Sequence, residues 1–212
     1  MHMLEPLTRA PAHATAQTLG AENLPDLLLI ERARGGDRRA IEALTRRSSR
    51  RLFRCARSIL PADDAAEQAV QEAFLAAFGD LTRYQPNGKF AAWLTRLVVA
   101  QARHALAARE RGNASEAQVV SGDATRAVER AIDALPEVFR TVFVLRVVEG
   151  IGGVETAASL ELNETTVRTR LYRAQRRLAA ALGQPLTEAR DVFALARERG
   201  EHIVQGVLAQ LP

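Results

Sequence analysis

The sequence predicts an all-α protein of two helical domains joined by a flexible linker, the C-terminal one built on a helix-turn-helix. Three observations carry that expectation. Good helix formers, Ala, Arg and Leu, weigh heavily in a composition that is 47% hydrophobic and only 5% aromatic. Apolar residues recur at three- and four-residue steps through most of the chain. The period breaks at 111–123, RGNASEAQVVSGD, where Gly, Ser and Asn gather as they do in interdomain linkers. The 212 residues suffice for two small cores.

Residues 1–24 carry Pro6, Pro11 and scattered Ala and Thr without a period, and read as a disordered leader. The first domain, 25–110, opens with Leu27, Leu28 and Ile30 and turns at Gly35 and Gly36. Asp37 is then placed to cap a helix carrying Ile41, Leu44, Leu52, Phe53 and Ile59, which Pro61 stops. Asp63 and Asp64 stand where a third helix would be capped. Its apolar stripe is Val70, Phe74, Leu75 and Phe78, its opposite face carries Glu67 and Glu72, and it ends at Gly79. A loop, 82–88, contains Tyr84, Pro86, Asn87 and Gly88. A fourth helix follows from Phe90 to about Arg109, with Trp93, Leu94, Leu97 and Val98 facing inward.

Beyond the linker, 124–183 forms the second domain. Ala127 to Leu135 is amphipathic, Pro136 sits at a helix start, and Val138, Phe139, Val142, Phe143, Leu145 and Val148 form an apolar helix ending at Gly150. Two shorter helices come next, and 184–212 reads as a C-terminal helical extension whose helix runs from about Glu188 to Ala209.

In a helix-turn-helix a small residue must sit where the two helices cross, and an apolar residue must anchor the second one inward. Ala157 and Val167 take those positions. The turn Glu161-Leu162-Asn163 buries Leu162, and Asn163 caps the helix expected from Glu164 to Leu182. Val167, Leu171, Ala174 and Leu178 form its inward stripe. Thr166, Arg168, Thr169, Tyr172, Arg173, Arg176 and Arg177 are left outward or flanking. Five arginines against one glutamate give this helix a local charge of +4. Arginine forks suit guanine edges and phosphates, so the pattern points to DNA. At Glu161 the turn requires a left-handed conformation that Gly adopts at about 1 kcal/mol less cost.

The composition also excludes several classes. Cys55 is the single cysteine and His2, His13, His104 and His202 lie far apart, so neither an intramolecular disulfide nor a cysteine-based zinc site is available. No nucleophile-base pairing, glycine-rich phosphate loop or metal spacing is legible, so no enzyme activity, cofactor or metal is expected. The longest apolar runs fall far short of the roughly 20 residues that span a bilayer. The start lacks the pattern of a signal peptide. A cytoplasmic protein without membrane association is the expectation. Net charge is +4, and Lys89 is the sole lysine.

Together the segments over about 24–183 resemble a bacterial sigma factor of the extracytoplasmic-function group within the sigma-70 family. EQAVQEAFLAAF (67–78) is similar to the family's polymerase-docking helix. FAAWLTRLVV (90–99) is similar to its promoter-melting helix, and RYQPNGK (83–89) lies where relatives capture a minus-ten base. LPEVFRTVFVLRVVEG with ETAASLELNETTVRTRLYRAQRRL (135–150 and 155–178) looks like the minus-thirty-five reader. The resemblance implies polymerase contacts at Glu67, Gln71, Glu72 and Phe74. It implies minus-ten contacts at Tyr84, Asn87, Lys89, Trp93, Arg96 and Arg103, and minus-thirty-five contacts at Thr166, Arg168, Thr169, Tyr172, Arg173 and Arg176. The implied partners are RNA polymerase core, through clamp and flap regions of its large subunits, promoter DNA and an anti-sigma protein. Gln68, where an aspartate is usual, and Ala100, Ala107 and Ala108, where the family carries asparagine and arginines, depart from the pattern. These departures leave open a helix-turn-helix regulator without polymerase docking or melting, and a helical interaction protein that binds no DNA.

Overall fold

The computed structural model describes residues 24–85, 89–111, 123–186, 189 and 191–211, and among these there is no strand. The first domain comprises α1 (Asp26–Arg34), α2 (Arg38–Arg57), α3 (Asp63–Gly79) and α4 (Phe90–Arg111). Asp37 caps α2 as expected: its carboxylate accepts the N–H groups of Arg39 at 2.9 Å and Ala40 at 3.3 Å. At α3 the cap residue is Ala62, without a side-chain bond, and Asp63 and Asp64 sit inside the first turn. There the positive end of the helix dipole favours them. Leu44, Leu52, Phe53, Val70, Phe74, Leu94 and Val98 are buried between α2, α3 and α4. Each side chain removed from water contributes about 1.5–3 kcal/mol. Leu24, expected to end the leader, is buried as well, and its carbonyl accepts from Arg47.

The second domain comprises α5 (Asp123–Asp133), α6 (Glu137–Phe143), α7 (Gly153–Leu160) and α8 (Glu164–Leu182). Pro136 takes the N-cap of α6, where its missing N–H costs nothing. Helix α6 runs directly into a π-helical stretch, Val144–Val148. The last helix, α9 (Arg197–Gln210), starts later than its pattern suggests. Before it the chain turns at 191–193, with Phe193 in the left-handed region at φ 51°. That turn drives Val192 and Phe193 into the second-domain core beside Ile132, Phe143, Ala174 and Leu178. The Phe193 N–H donates to Glu129 at 2.8 Å.

The two apolar cores do not divide at the sequence linker. Val142 and Leu145, with Ile151, Ala157, Leu160 and Val167, join the cluster built on the first domain, whereas Phe143, Val144 and Val148 face the second. Helix α6 and its π-helical continuation therefore serve both. Around this seam, first-domain arginines meet second-domain acids. Arg54 pairs with Glu149 at 2.8 Å, with side chains only 8% and 6% exposed, and Arg57 grips Asp133 with both nitrogens at 2.9 Å. In return Arg140 donates to the carbonyls of Ser58 and Ile59 and, within its own domain, of Asp133. A buried guanidinium needs such a full set of acceptors to offset its desolvation.

Candidate nucleic-acid interface

Helix α8 has the bounds that its sequence predicts, Glu164–Leu182. The Asn163 side chain accepts the Thr166 N–H at 2.7 Å, and the helix closes at Gly183 in a left-handed conformation. Val167, Ala174 and Leu178 are buried and Leu171 half-buried, so the inward stripe holds. Glu161 is the left-handed turn residue, at φ 55° and ψ 43°, and Leu162 is half-buried beside it. Arg168, Thr169, Tyr172, Arg173, Arg176 and Arg177 are exposed, and Thr166 is half-buried at the first turn. Tyr172 is 59% exposed, with the Arg176 guanidinium 6.0 Å from its ring centre. Arg177 also reaches inward, over the Phe139 ring at 5.6 Å.

The residues expected to meet the minus-ten element converge less openly. Tyr84 is only 5% exposed and packs against Phe90 and Trp93, with ring centres 5.2 and 5.4 Å away. Trp93 is half-buried, Arg96 is exposed, and Asn87 lies outside the described residues. Lys89, Trp93 and Arg96 line a cleft of about 810 Å³ whose other wall is Gly152, Val154 and Glu155 of the second domain. Glu155 bridges that cleft, accepting from Lys89 and from Arg51 at 2.8 Å each. Burial pushes its carboxyl up, but the hydrogen bonds from Arg51 and Lys89 outweigh that and hold it below the ordinary value. Arg103 is likewise paired, with Glu137 at 3.2 Å. Sequence reasoning missed Glu155 and Arg51 as partners, because nothing local in ETAASL points across to α2.

The face expected to dock on polymerase lies on α3. Glu67, Gln71 and Glu72 are half-buried. Phe74 is 0% exposed and stacks on Phe78 at 5.7 Å, so it supports this face from beneath and touches nothing outside. Gln68 is exposed and donates to Glu72 at 2.9 Å. Much of the remaining α3 surface is covered by α9, which packs along both α2 and α3.

The fold and this charge layout define a two-domain helical protein with an exposed cationic helix, α8. Family models agree: sigma-70 region 2 matches residues 44–112 and sigma-70 region 4 matches 125–178, together more than half of the chain. The ECF RNA polymerase sigma-E factor of Escherichia coli is 29% identical over 178 residues, covering 73% of this chain and 93% of that protein. The RNA polymerase sigma-H factor of Pseudomonas aeruginosa is 28% identical over 187 residues, covering 77% and 97%. Among solved structures, CnrH in complex with the cytosolic domain of CnrY aligns with a TM-score of 0.60 and 29% identity, over 74% of this chain and 97% of that one. The chain belongs to the sigma-70 family as an ECF sigma factor, a promoter-specific factor for transcription initiation. Helix α9 lies outside both matched regions.

Proposed function

We propose that the work of this sigma factor is divided among three faces. The turn between α7 and α8 makes a helix-turn-helix that lays α8 in the major groove at the minus-thirty-five element. Arg168, Thr169, Tyr172 and Arg173 reach base edges and nearby phosphates there, Thr166 meets phosphate at the helix start, and Arg176 tracks the backbone. Lys89, Trp93, Arg96 and Arg103, with Tyr84 and the loop bearing Asn87, serve the minus-ten region. Glu67, Gln71 and Glu72, on the platform that Phe74 supports, meet the polymerase core. The domains by this reading are 25–110 and 124–183, with a linker at 111–123 and an extension at 184–212. The factor acts in the cytoplasm, holds no cofactor and supplies binding rather than catalysis. An anti-sigma protein is its expected antagonist, a reading supported by the likeness to CnrH, solved with the cytosolic domain of CnrY.

The observation that carries this reading is α8: capped, anchored by a buried stripe, and presenting four exposed arginines, Arg168, Arg173, Arg176 and Arg177. Most of the affinity comes from phosphate neutralisation and falls with salt, whereas the base contacts set the sequence preference. The test is run-off transcription with core polymerase on genomic DNA of the source organism. The unaltered chain gives discrete promoter-dependent transcripts. Arg173→Ala loses promoter selectivity while stability shifts by about 0.5 kcal/mol or less, as for other surface substitutions. Unchanged promoter selection by that variant would refute the assignment of α8.

A further inference from the structure

Helix α9 occupies the α3 face assigned above to polymerase. Its apolar side, Ile203, Val204 and Val207, is fully buried. Polar contacts hold it along its whole length. At its start Arg199 reaches Asp64 at 2.9 Å and Glu67 at 2.5 Å. Two residues on, both oxygens of Glu201 accept from Arg46, at 2.6 and 2.9 Å. Gln71 donates to the His202 carbonyl at 3.3 Å. At the far end Arg38 donates to the carbonyls of Leu208 and Leu211, satisfying acceptors that a helix C-terminus leaves open. Gly206 permits this close approach, since a Cβ there would stand 2.8 Å from the Gln71 side chain. Two of the three polar docking residues, Glu67 and Gln71, are thus committed to α9.

The other end of the extension is rooted in the second domain. Val192 and Phe193 fill its core, and Arg57 of the first domain lies 4.4 Å over the Phe193 ring. Only residues 194–196 separate that anchor from α9. The extension is therefore tied to both domains, and its short tether keeps α9 at high effective concentration over α3.

We propose that α9 is an intramolecular competitor of RNA polymerase, a clasp that must leave α3 before the core enzyme can dock there. This rests on the docking role given to Glu67 and Gln71. Ile203 and Val207 extend the first domain's core onto α2 and α3, so α9 buttresses that domain as well as covering it. Competition follows from where its polar contacts fall: on Glu67 and Gln71, the two side chains assigned to docking, and on the surface cations Arg38 and Arg46.

The test compares full-length chains in equilibrium binding to core polymerase of the source organism. Arg199→Glu with Glu201→Arg sets a carboxylate against Asp64 and Glu67 and a guanidinium against Arg46. This variant should bind core at least tenfold tighter than the unaltered chain. Val207→Asp, which makes the buried side of α9 uninhabitable, should do the same. A peptide of residues 194–211 added to either loosened variant should weaken its binding again. Equal or weaker binding by the double charge variant, with unchanged circular dichroism, would overturn the clasp. Adding Glu67→Lys separates the two readings. If it weakens core binding equally in the clasped and loosened chains, α3 docks polymerase and the clasp alone is wrong. If it changes nothing in the loosened chain, the docking role of α3 itself fails.

Discussion

Glu155 joins the two domains across the cleft lined by Lys89, Trp93 and Arg96, and Glu155→Gln tests how much that junction contributes. The substitution keeps the shape and removes the charge. The Glu155 carboxylate is 16% exposed and Arg51 is 23% exposed, whereas Lys89 is 75% exposed. An exposed pair is worth about 0–1 kcal/mol, so Lys89 contributes about 0.3 kcal/mol. Breaking a fully buried pair costs about 3–5 kcal/mol, and a partly wet one retaining a neutral hydrogen bond about a third of that. The expected loss at pH 7 is about 1.5 kcal/mol. With a urea slope of about 2 kcal/mol/M, the unfolding midpoint falls by about 0.7 M. The pH dependence has a definite sign. Because the folded carboxyl is held below its ordinary value of 4.5, its stabilisation is complete above that value and fades as pH drops through the folded one. The midpoints of the two proteins should therefore converge in acid, once the pH lies below the lowered value of the folded carboxyl. A gap under about 0.2 M at pH 7, or an undiminished gap in acid, would refute the junction as an ionic one.

Glu161→Gly relieves the left-handed strain at the α7-α8 turn, where φ is 55°. It should raise stability by about 0.5 kcal/mol after the added entropy of glycine in the unfolded chain, read as a higher midpoint in urea. Asn163→Ala removes the acceptor for the Thr166 N–H and should cost about 1 kcal/mol in the same assay, with weaker minus-thirty-five binding as α8 frays. Burial pushes the Cys55 thiol up to about 12, so it should ignore a thiol-reactive disulfide reagent at pH 8 until urea unfolds the chain. Reaction at the rate of a free thiol in the native protein would place Cys55 elsewhere.

The parts legible in the sequence are those governed by neighbours along the chain. Helix α8 was readable from its sequence because Asn163 and the Val167-Leu171-Ala174-Leu178 stripe act within one helix. The cap at Asp37, the position of Pro136 and the left-handed Glu161 belong to the same kind. The exposed face of α8 was legible for that reason too, since a face opposite a buried stripe follows from a period of 3.6 residues. Residues on α3 and near α4 were harder. Phe74 belongs to the apolar stripe of α3 and Tyr84 to a loop, and only the family resemblance gives them contact roles; both lie beneath the surfaces those roles require.

By itself, then, the sequence determined an all-helical chain with two domains, their element order, and a basic helix with its cap and turn. Tertiary structure alone decided that α6 and its π-helical continuation serve two cores and that second-domain acids hold first-domain arginines. It also decided that the last helix starts at Arg197 and lies over Glu67 and Gln71. Capping and helical period are set by contacts within about four residues. Pairs such as Arg51 with Glu155 or Arg199 with Glu67 join positions over a hundred residues apart. No local pattern distinguishes a charge that will meet water from one that will meet its opposite across a fold.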